Sequence, residues 1–253
     1  MEDTQGDPKN AVTLANKYLS NPDRTIFFVT TSKASKAVIP VTDKAGIDTV
    51  AFASDPDITK LSNHVIRPYM SFATEQDVIT DFIASKGWKR VAFIRGDDQA
   101  FANEMVYFHE FAKKKGLDLI VEEIFTFQQR DFRASYQKIL QAKPDVIIAL
   151  GWGFEVPALL GQYKENRFLS KIPLIGGYTF LTDPAMKGKQ ELYDGIFVVA
   201  FPRAIGSNKI EQLRQQIKTK FGKAPNQFLD YAFAYDYLMM LKEAYKMNPT
   251  AKY

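Results

Sequence analysis

Short apolar runs alternate with amphipathic segments along most of the chain. Seven runs of four or five residues have the composition of buried strands: 25–29, 49–52, 91–94, 118–121, 146–150, 172–175 and 195–199. Segments with the helical spacing of apolar residues lie between most of them, at roughly 8–20, 34–45, 74–86, 101–115, 132–142 and 155–166. Strand followed by helix, repeated, predicts a mostly parallel sheet with helices on both faces, so the predicted fold class is α/β.

The pattern divides the chain into two blocks. Residues 73–199 contain a complete alternating set of strands and helices and are predicted to form lobe 2. The first 72 residues contain a shorter set that lacks a beginning. After residue 200 the rhythm changes to two long helical segments, 209–221 and 229–245, which can complete the shorter set. Lobe 1 is therefore predicted to be discontinuous, comprising 1–72 and 200–253.

Helix ends carry recognisable capping residues. Asp7 before Pro8 has the form of an N-cap followed by proline at the first helical position. Asp131 is predicted to cap a helix that begins at Phe132. Gly116 follows the end of a predicted helix, where glycine commonly adopts a left-handed conformation. These residues support the helix boundaries read from the apolar spacing.

The composition narrows the class of protein. Hydrophobic residues make up 46% of the 253 and charged residues 25%, which is ordinary for a globular protein. The absence of cysteine excludes disulfides, thiolate metal sites and a cysteine nucleophile. No apolar run approaches the length of a membrane span. The net charge of +4 comes from basic residues scattered among acidic ones, without the basic stripe that binds nucleic acid, so no nucleic-acid partner is expected.

Several stretches, taken in order, resemble one family. They are 2–8 with 11–12, 31–41, 65–68, 131–132, 144–147 and 234–236. Together they resemble the type I periplasmic solute-binding proteins of ABC transporters, in the branched-chain amino-acid-binding group. The similarity extends nearly end to end, and its specificity comes from order and spacing rather than from a single motif. The resemblance implies two lobes, each a mostly parallel sheet flanked by helices, that close on a solute without catalysis.

The resemblance also carries expectations about the ends of the chain and its partners. Family members have a further strand, helix and strand before residue 2 and continue beyond residue 253, so the chain is expected to be shortened at both ends, with an incomplete lobe 1. Exposed edges of an incomplete sheet favour dimerisation. Crossovers near 67–72 and 199–202 are expected to act as hinges. The expected location is periplasmic or otherwise extracytoplasmic, although no signal peptide is recognised, and the expected partner is a membrane permease.

In lobe 1 the candidate ligand-binding residues follow two predicted strands. Thr31 and Ser32 precede a helix whose free N–H groups and positive dipole end favour a carboxylate. The resemblance assigns the ligand carboxylate to the position of Ser32, while a helix N-cap is the alternative role. Ala53 and Ser54 stand where the family offers a backbone carbonyl and a small hydroxyl residue. Asp55 departs from that pattern, and capping of the next turn is favoured over binding of a ligand ammonium.

In lobe 2 an aromatic residue follows a predicted strand. Trp152 lies between Gly151 and Gly153, which let the backbone approach a ligand closely and leave the indole projecting from the strand end. The resemblance places an aromatic residue here, packed on the ligand. A core or interlobe tryptophan is the alternative, and the ligand-binding role is preferred.

Two further positions of lobe 2 indicate the kind of ligand. Tyr178 stands where amino-acid-binding members often place a carboxylate for the ligand ammonium, and Asp183 or Asp97 is the substitute that the sequence offers. Phe101 falls in the segment where the family has a Tyr-Gly pair. A site containing Phe101, Trp152 and Tyr178 suits an aromatic or apolar carboxylate, while an amino acid stays open as the ligand.

Three classes of function are considered. The preferred one is a solute-binding protein that captures a small carboxylate for ABC-transporter uptake. The second is a ligand-sensing domain of a receptor or regulator with the same fold. The third is an α/β enzyme using the acidic pair Asp97-Asp98, but no nucleophile elbow, P-loop or dinucleotide fingerprint follows a predicted strand. No catalytic activity, cofactor or metal is therefore expected.

Overall fold

A computed structural model describes residues 2–4, 7–21, 26–181, 189–200, 208–222 and 228–247. The helices are α1 (Pro8–Leu19), α2 (Ser32–Lys44), α3 (Phe72–Ser85), α4 (Gln99–Lys115), α5 (Arg133–Ala142), α6 (Val156–Glu165), α7 (Lys209–Phe221) and α8 (Phe228–Met247). The strands are β1 (Ile26–Thr30), β2 (Asp48–Phe52), β3 (Val65–Ile66), β4 (Arg90–Gly96), β5 (Asp118–Phe125), β6 (Val146–Leu150), β7 (Leu174–Gly176) and β8 (Phe197–Val198). All strand pairs are parallel, which confirms the α/β class.

The chain groups into two compact units. Unit 1 comprises Met1–Phe72 with Asp230–Tyr253, and unit 2 comprises Ala73–Leu229. The sequence prediction assigns 200–253 to lobe 1, whereas this grouping places α7 in unit 2. No described side chain of α7 is buried, so burial ties this helix to neither unit, and its lobe assignment stays a prediction. Of the predicted second hinge, residues 201–202 lie outside the described part of the chain.

Unit 1 is built on a three-stranded sheet in the order β1-β2-β3. The register places Ile26 opposite Asp48 and Thr49 opposite Val65. Small side chains of α1 and α2 pack with this sheet in a compact cluster: Ala11, Ala15, Val29, Ala34 and Val38. Because these side chains are small, the two helices approach closely at the start of α2, where the first candidate residues lie.

Unit 2 is built on a five-stranded sheet in the order β5-β4-β6-β7-β8. The central strands β4 and β6 are buried on both faces, as their continuous apolar sequence predicts. Alternate residues of each strand point to opposite faces. Ala92 and Ile147 pack with α5 and α6, whereas Phe93 and Ile148 pack with α3 and α4. The helices therefore cover both faces of the central strands, so a ligand can reach these strands only at their ends.

Capping residues explain where three helices begin or end. Asp7 is the N-cap of α1 and accepts the Lys9 N–H at 2.7 Å, as predicted. Gly116 ends α4 at φ +65°, also as predicted. Asp131 makes the predicted capping hydrogen bond, because its Oδ1 accepts the Arg133 N–H at 3.1 Å, although α5 begins at Arg133, one residue later than predicted. Phe132, between the capping residue and the helix, is fully buried in the core.

None of the helices in the described ranges has both the length and the apolar character needed to cross a bilayer.

Candidate functional site

The first candidate region lies where β1 ends and α2 begins. Thr31 is the N-cap of α2, and its Oγ1 accepts the Ala34 N–H at 3.4 Å. Its backbone has φ +69° and ψ +145°, a conformation that costs free energy for a β-branched residue. Hydrogen bonds hold it there, because Thr31 N–H donates to the Phe52 carbonyl and its own carbonyl accepts the Ser35 N–H and hydroxyl. Strain of this kind is typical of functional sites.

Ser32 is the first residue of α2 and is not its N-cap, so the capping alternative is wrong for this residue. Its Oγ accepts the backbone N–H of Asp55 at 3.3 Å. A serine hydroxyl carries one donor as well as accepting lone pairs, so this contact leaves the Ser32 O–H able to donate. The donor lies in the first turn of the helix, and a helix N-terminus with a hydroxyl donor suits an anion.

Asp55 is buried, and both of its carboxylate oxygens have partners. Oδ1 accepts the Asp57 N–H at 2.9 Å and makes Asp55 the N-cap of the 3-10 helix Pro56–Lys60. Oδ2 pairs with Nζ of Lys36 at 2.5 Å. The geometry agrees with the capping role and leaves no carboxylate oxygen of Asp55 without a protein partner.

Ala53 and Ser54 follow β2 in the same loop and are both buried. The Ala53 carbonyl accepts a hydrogen bond from Nη1 of Arg67 at 3.1 Å. The Ser54 carbonyl accepts the Phe72 N–H at 3.0 Å. Both backbone acceptors therefore have donors within unit 1, so a ligand contact at either one would share the carbonyl oxygen with a protein donor.

The second candidate region is the carboxyl edge of unit 2, where β4, β6 and β7 end at Gly96, Leu150 and Gly176. Aromatic rings lie directly against the glycines at this edge. A Cβ on Gly96 would lie 3.2 Å from the Phe101 ring, and a Cβ on Gly176 would lie 2.4 Å from the Phe180 ring. Glycine is therefore required at Gly176 by the close approach of an aromatic side chain.

Phe101 and Trp152 meet at this carboxyl edge. Their ring centroids are 4.9 Å apart and their planes are inclined at 41°. Phe101 is only 2% exposed and belongs to the core formed with α3 and α4, whereas Trp152 is half-buried. Phe101 thus packs against the indole from the core, and Trp152 is the residue of the pair whose exposed surface can contact a ligand.

Tyr178 opens a short 3-10 helix, Tyr178–Leu181, directly after β7 and is 9% exposed. The next residue ties this turn to the loop of Trp152, because the Thr179 hydroxyl donates to the Gly151 carbonyl at 2.8 Å. The structure therefore brings together the loops of Trp152 and Tyr178. Asp183, predicted as a substitute ammonium ligand, lies outside the described residues.

Two buried carboxyl groups at this edge were missed by the sequence analysis. Glu75 in the first turn of α3 accepts the Tyr178 N–H at 2.8 Å, and Glu104 of α4 accepts from Nε2 of Gln76 at 2.7 Å. Burial raises the pKa of Glu75 to about 7. Burial, together with the adjacent Glu75, raises the pKa of Glu104 well above its usual range.

A signal for Glu104 was present in the sequence. The buried residues of α4 follow helical spacing at Phe101, Met105, Phe108 and Ala112, and Glu104 falls on the same stripe. A carboxyl group at a core position of an amphipathic helix indicates a buried partner.

One residue of the acidic pair Asp97-Asp98, considered above for an enzyme, has a structural role. Asp98 is the N-cap of α4, and its Oδ1 accepts the Ala100 N–H at 2.7 Å. His64 pairs with Asp48 in unit 1, and His109 packs beside Phe108 in unit 2. Among the described residues no cluster of three acidic or histidine side chains is arranged to hold a metal ion.

The sequence matches the model of a protein family described as periplasmic binding protein, over residues 1–251. The chain therefore belongs to the periplasmic binding protein family. The proteins of this family and the similar solved structures are solute-binding proteins and not enzymes. No curated protein matches the sequence.

Three solved structures are similar over most of the chain. A solute-binding protein of an ABC transporter from Rhodopseudomonas palustris BisB5, in complex with 3,4-dihydroxybenzoic acid, is 21% identical with a TM-score of 0.79, over 99% of this chain and 70% of that chain. LivJ of Streptococcus pneumoniae, in complex with isoleucine, is 18% identical with a TM-score of 0.74, over 96% and 70%. A benzoate complex from R. palustris is 18% identical with a TM-score of 0.73, over 90% and 64%. These likenesses establish the type I periplasmic-binding-protein fold.

Proposed function

We propose that this protein captures a small carboxylate outside the cytoplasm for uptake by an ABC-transporter permease. The observation that carries the proposal is the start of α2, where Thr31 takes the capping role and leaves the Ser32 hydroxyl in the first turn of the helix, able to donate. Backbone N–H groups, a hydroxyl donor and the positive end of the helix dipole together favour an anion over a cation or a sugar.

The body of the ligand is proposed to pack on the carboxyl edge of unit 2. Trp152 is half-buried and packs on the buried ring of Phe101, a contact that restricts the indole in the absence of a ligand. A held indole suits an aromatic or apolar body, because little side-chain freedom is lost on binding. Tyr178 lies in the neighbouring loop and is proposed to complete this apolar surface.

An aromatic carboxylate is preferred here over an amino acid. A zwitterionic ligand also needs acceptors for its ammonium, and Asp55, one candidate for that role, already has both oxygens engaged by Asp57 N–H and Lys36. The solved relatives that bind 3,4-dihydroxybenzoic acid, benzoate and isoleucine all carry ligands with a carboxyl group. This shared chemistry supports the anion-binding role given to the start of α2.

Isothermal titration and thermal-shift measurements test the proposal with benzoate, 4-hydroxybenzoate, isoleucine, glucose and tetramethylammonium. The aromatic carboxylates are expected to bind, and at about a hundred times the Kd a ligand adds about 2.7 kcal/mol of stability. Removing a hydrogen bond to a charged group costs about 1.5–3 kcal/mol, so Ser32→Ala should weaken benzoate binding by at least tenfold. Ser85→Ala, at the exposed end of α3, is the matched control and should leave the Kd unchanged. Binding of glucose or tetramethylammonium alone would contradict the proposal.

A further inference from the structure

Three polar side chains are buried beside the carboxyl edge of unit 2 and have no part in the binding scheme above. Glu75 and Gln76 on α3 are at most 1% exposed, and Glu104 on α4 is 2% exposed. Burial of a carboxyl group without compensation costs several kcal/mol, so such groups are kept where a partner satisfies them. The partners of these side chains indicate what the cluster does.

Glu75 and Glu104 are adjacent buried carboxyl groups, and burial together with Glu75 raises the pKa of Glu104. Two carboxyl oxygens form a hydrogen bond only with a proton between them, and burial disfavours two negative charges at this distance. Each carboxyl group also accepts a hydrogen bond from another residue. Glu104 accepts from the Gln76 side-chain amide at 2.7 Å, and Glu75 accepts the Tyr178 N–H at 2.8 Å. The pair is therefore satisfied when it carries a proton that Glu104 donates to Glu75.

Glu75 lies tightly against the turn that follows β7. A Cβ on Gly177 would lie 3.0 Å from Oε1 of Glu75 and 2.9 Å from Cδ2 of Leu150. The same turn is joined to the Trp152 loop by the hydrogen bond from Thr179 to the Gly151 carbonyl at 2.8 Å. Hydrogen bonds thus join Glu75 to the turn of Tyr178 and this turn to the Trp152 loop, and Glu104 lies next to Glu75.

We propose that Glu75 and Glu104 are positioning residues, which share a proton and thereby hold the loops of Tyr178 and Trp152 in the arrangement that receives the body of the ligand. The part of this inference that concerns the ligand rests on the proposed function. The part that concerns the loop is independent of it, because the hydrogen bond to the Tyr178 N–H exists without a ligand. The two parts can be measured separately.

The first measurement is hydrogen exchange of the Tyr178 amide in the full chain, without ligand. Glu104→Gln retains both a donor and an acceptor, and its exchange rate should stay within threefold of the unmodified protein. Glu104→Met has a similar length but no hydrogen-bonding group, and it should raise the rate at least tenfold, as should Glu75→Ala. Glu110→Gln, at an exposed position of the same helix, is the matched control and should change nothing. Equal rates for Glu104→Gln and Glu104→Met would overturn the shared-proton role.

The second measurement is the Kd for benzoate in the same variants. Glu104→Met should weaken binding at least tenfold, while Glu104→Gln should restore it to within threefold. A faster Tyr178 exchange with an unchanged benzoate Kd would overturn the link to ligand binding. If the unmodified protein binds none of the carboxylates, the proposed function fails, but the exchange comparison still decides the role of the pair. If Glu75→Ala does not fold, the comparison of Gln with Met at position 104 suffices.

Discussion

The ring of Phe101 lies 4.9 Å, centroid to centroid, from the indole of Trp152. These two residues differ in what they can offer, because Phe101 is part of the core and Trp152 is half-buried at the end of β6. The sequence analysis named both as ligand-binding residues. In the structure the two residues have different roles: the Phe101 ring packs beneath the indole, whereas Trp152 has accessible surface. The direct ligand contact is therefore assigned, as a proposal, to Trp152.

Thr31 holds a positive φ of +69°, which leads to a prediction about stability. Thr31→Ala removes the capping oxygen while keeping the strain, and should destabilise unit 1 by about 1 kcal/mol. Thr31→Gly also lacks the cap but removes the strain, which is worth about 1–3 kcal/mol, so it should be more stable than Thr31→Ala. Urea denaturation of the two variants checks the order, and a less stable glycine variant would show that Thr31 is not strained.

The two functions considered for Asp55 make different predictions for Asp55→Asn. An asparagine oxygen can still cap the 3-10 helix but cannot form an ion pair with Lys36. If Asp55 is a cap, Asp55→Asn should change the Kd of any bound carboxylate by less than threefold. If Asp55 bound a ligand ammonium, the variant would lose isoleucine binding while keeping benzoate binding. Titration with both ligands distinguishes the two functions, and the account predicts the first result.

The carboxyl edge of unit 2 tolerates no side chain at Gly176. A Cβ there would lie 2.4 Å from the Phe180 ring, which is fully buried and cannot move aside freely. Gly176→Ala should therefore destabilise unit 2 by about 1–3 kcal/mol. Gly161→Ala is the matched control, because its Cβ would meet nothing within 4 Å in α6 and the change should stabilise by about 0.5–1 kcal/mol. Thermal unfolding of both variants gives the comparison, and equal stabilities would contradict the packing.

The buried Glu104 predicts an unusual pH dependence of stability. Its pKa is raised in the folded protein by burial, so the folded state retains a proton that the unfolded state releases above the ordinary value of 4.5. Stability from this group is thus fully present below pH 4.5 and decreases as the pH rises, by at most about 1.4 kcal/mol per pH unit.

Glutamine does not titrate, so the difference in free energy of unfolding between the unmodified protein and Glu104→Gln isolates the contribution of the Glu104 carboxyl group. The unmodified protein should lose stability relative to Glu104→Gln as the pH rises above 4.5, because the pKa of Glu104 is raised from that value by burial. Chemical denaturation at several pH values measures this difference. A difference that is constant with pH would mean that Glu104 is ionised in the folded protein.

The helices and strands of this fold could be predicted because their buried residues follow the regular spacing of a helix or of a buried strand. Strand β6 is an unbroken apolar run that is buried along its whole length, and α4 has its buried residues at helical spacing. Each predicted strand overlaps a strand of the structure. The start of α5 differs from the prediction by one residue, although the predicted capping residue Asp131 accepts the Arg133 N–H at the helix start.

The site was less predictable, because side-chain partners depend on distant parts of the chain. Which of Thr31 and Ser32 caps α2 depends on a backbone angle, and the partner of Ser32 is Asp55 in another loop. Glu75 meets Tyr178 across 103 positions of sequence, which no local pattern encodes. Charged residues on helices usually lie in solvent, so a buried carboxyl pair is recognised only once both helices are placed.

The most direct test uses the two tryptophans of the chain, Trp88 and Trp152. Trp88 packs on Phe82 just before β4, at the opposite edge of the same sheet, so it is a matched control. Fluorescence is titrated with benzoate in Trp88→Phe, which retains Trp152, and in Trp152→Phe, which retains Trp88. The account predicts a saturable change in Trp88→Phe and no change in Trp152→Phe at the same concentrations. A saturable change only in Trp152→Phe would contradict the placement of the ligand at the carboxyl edge of unit 2.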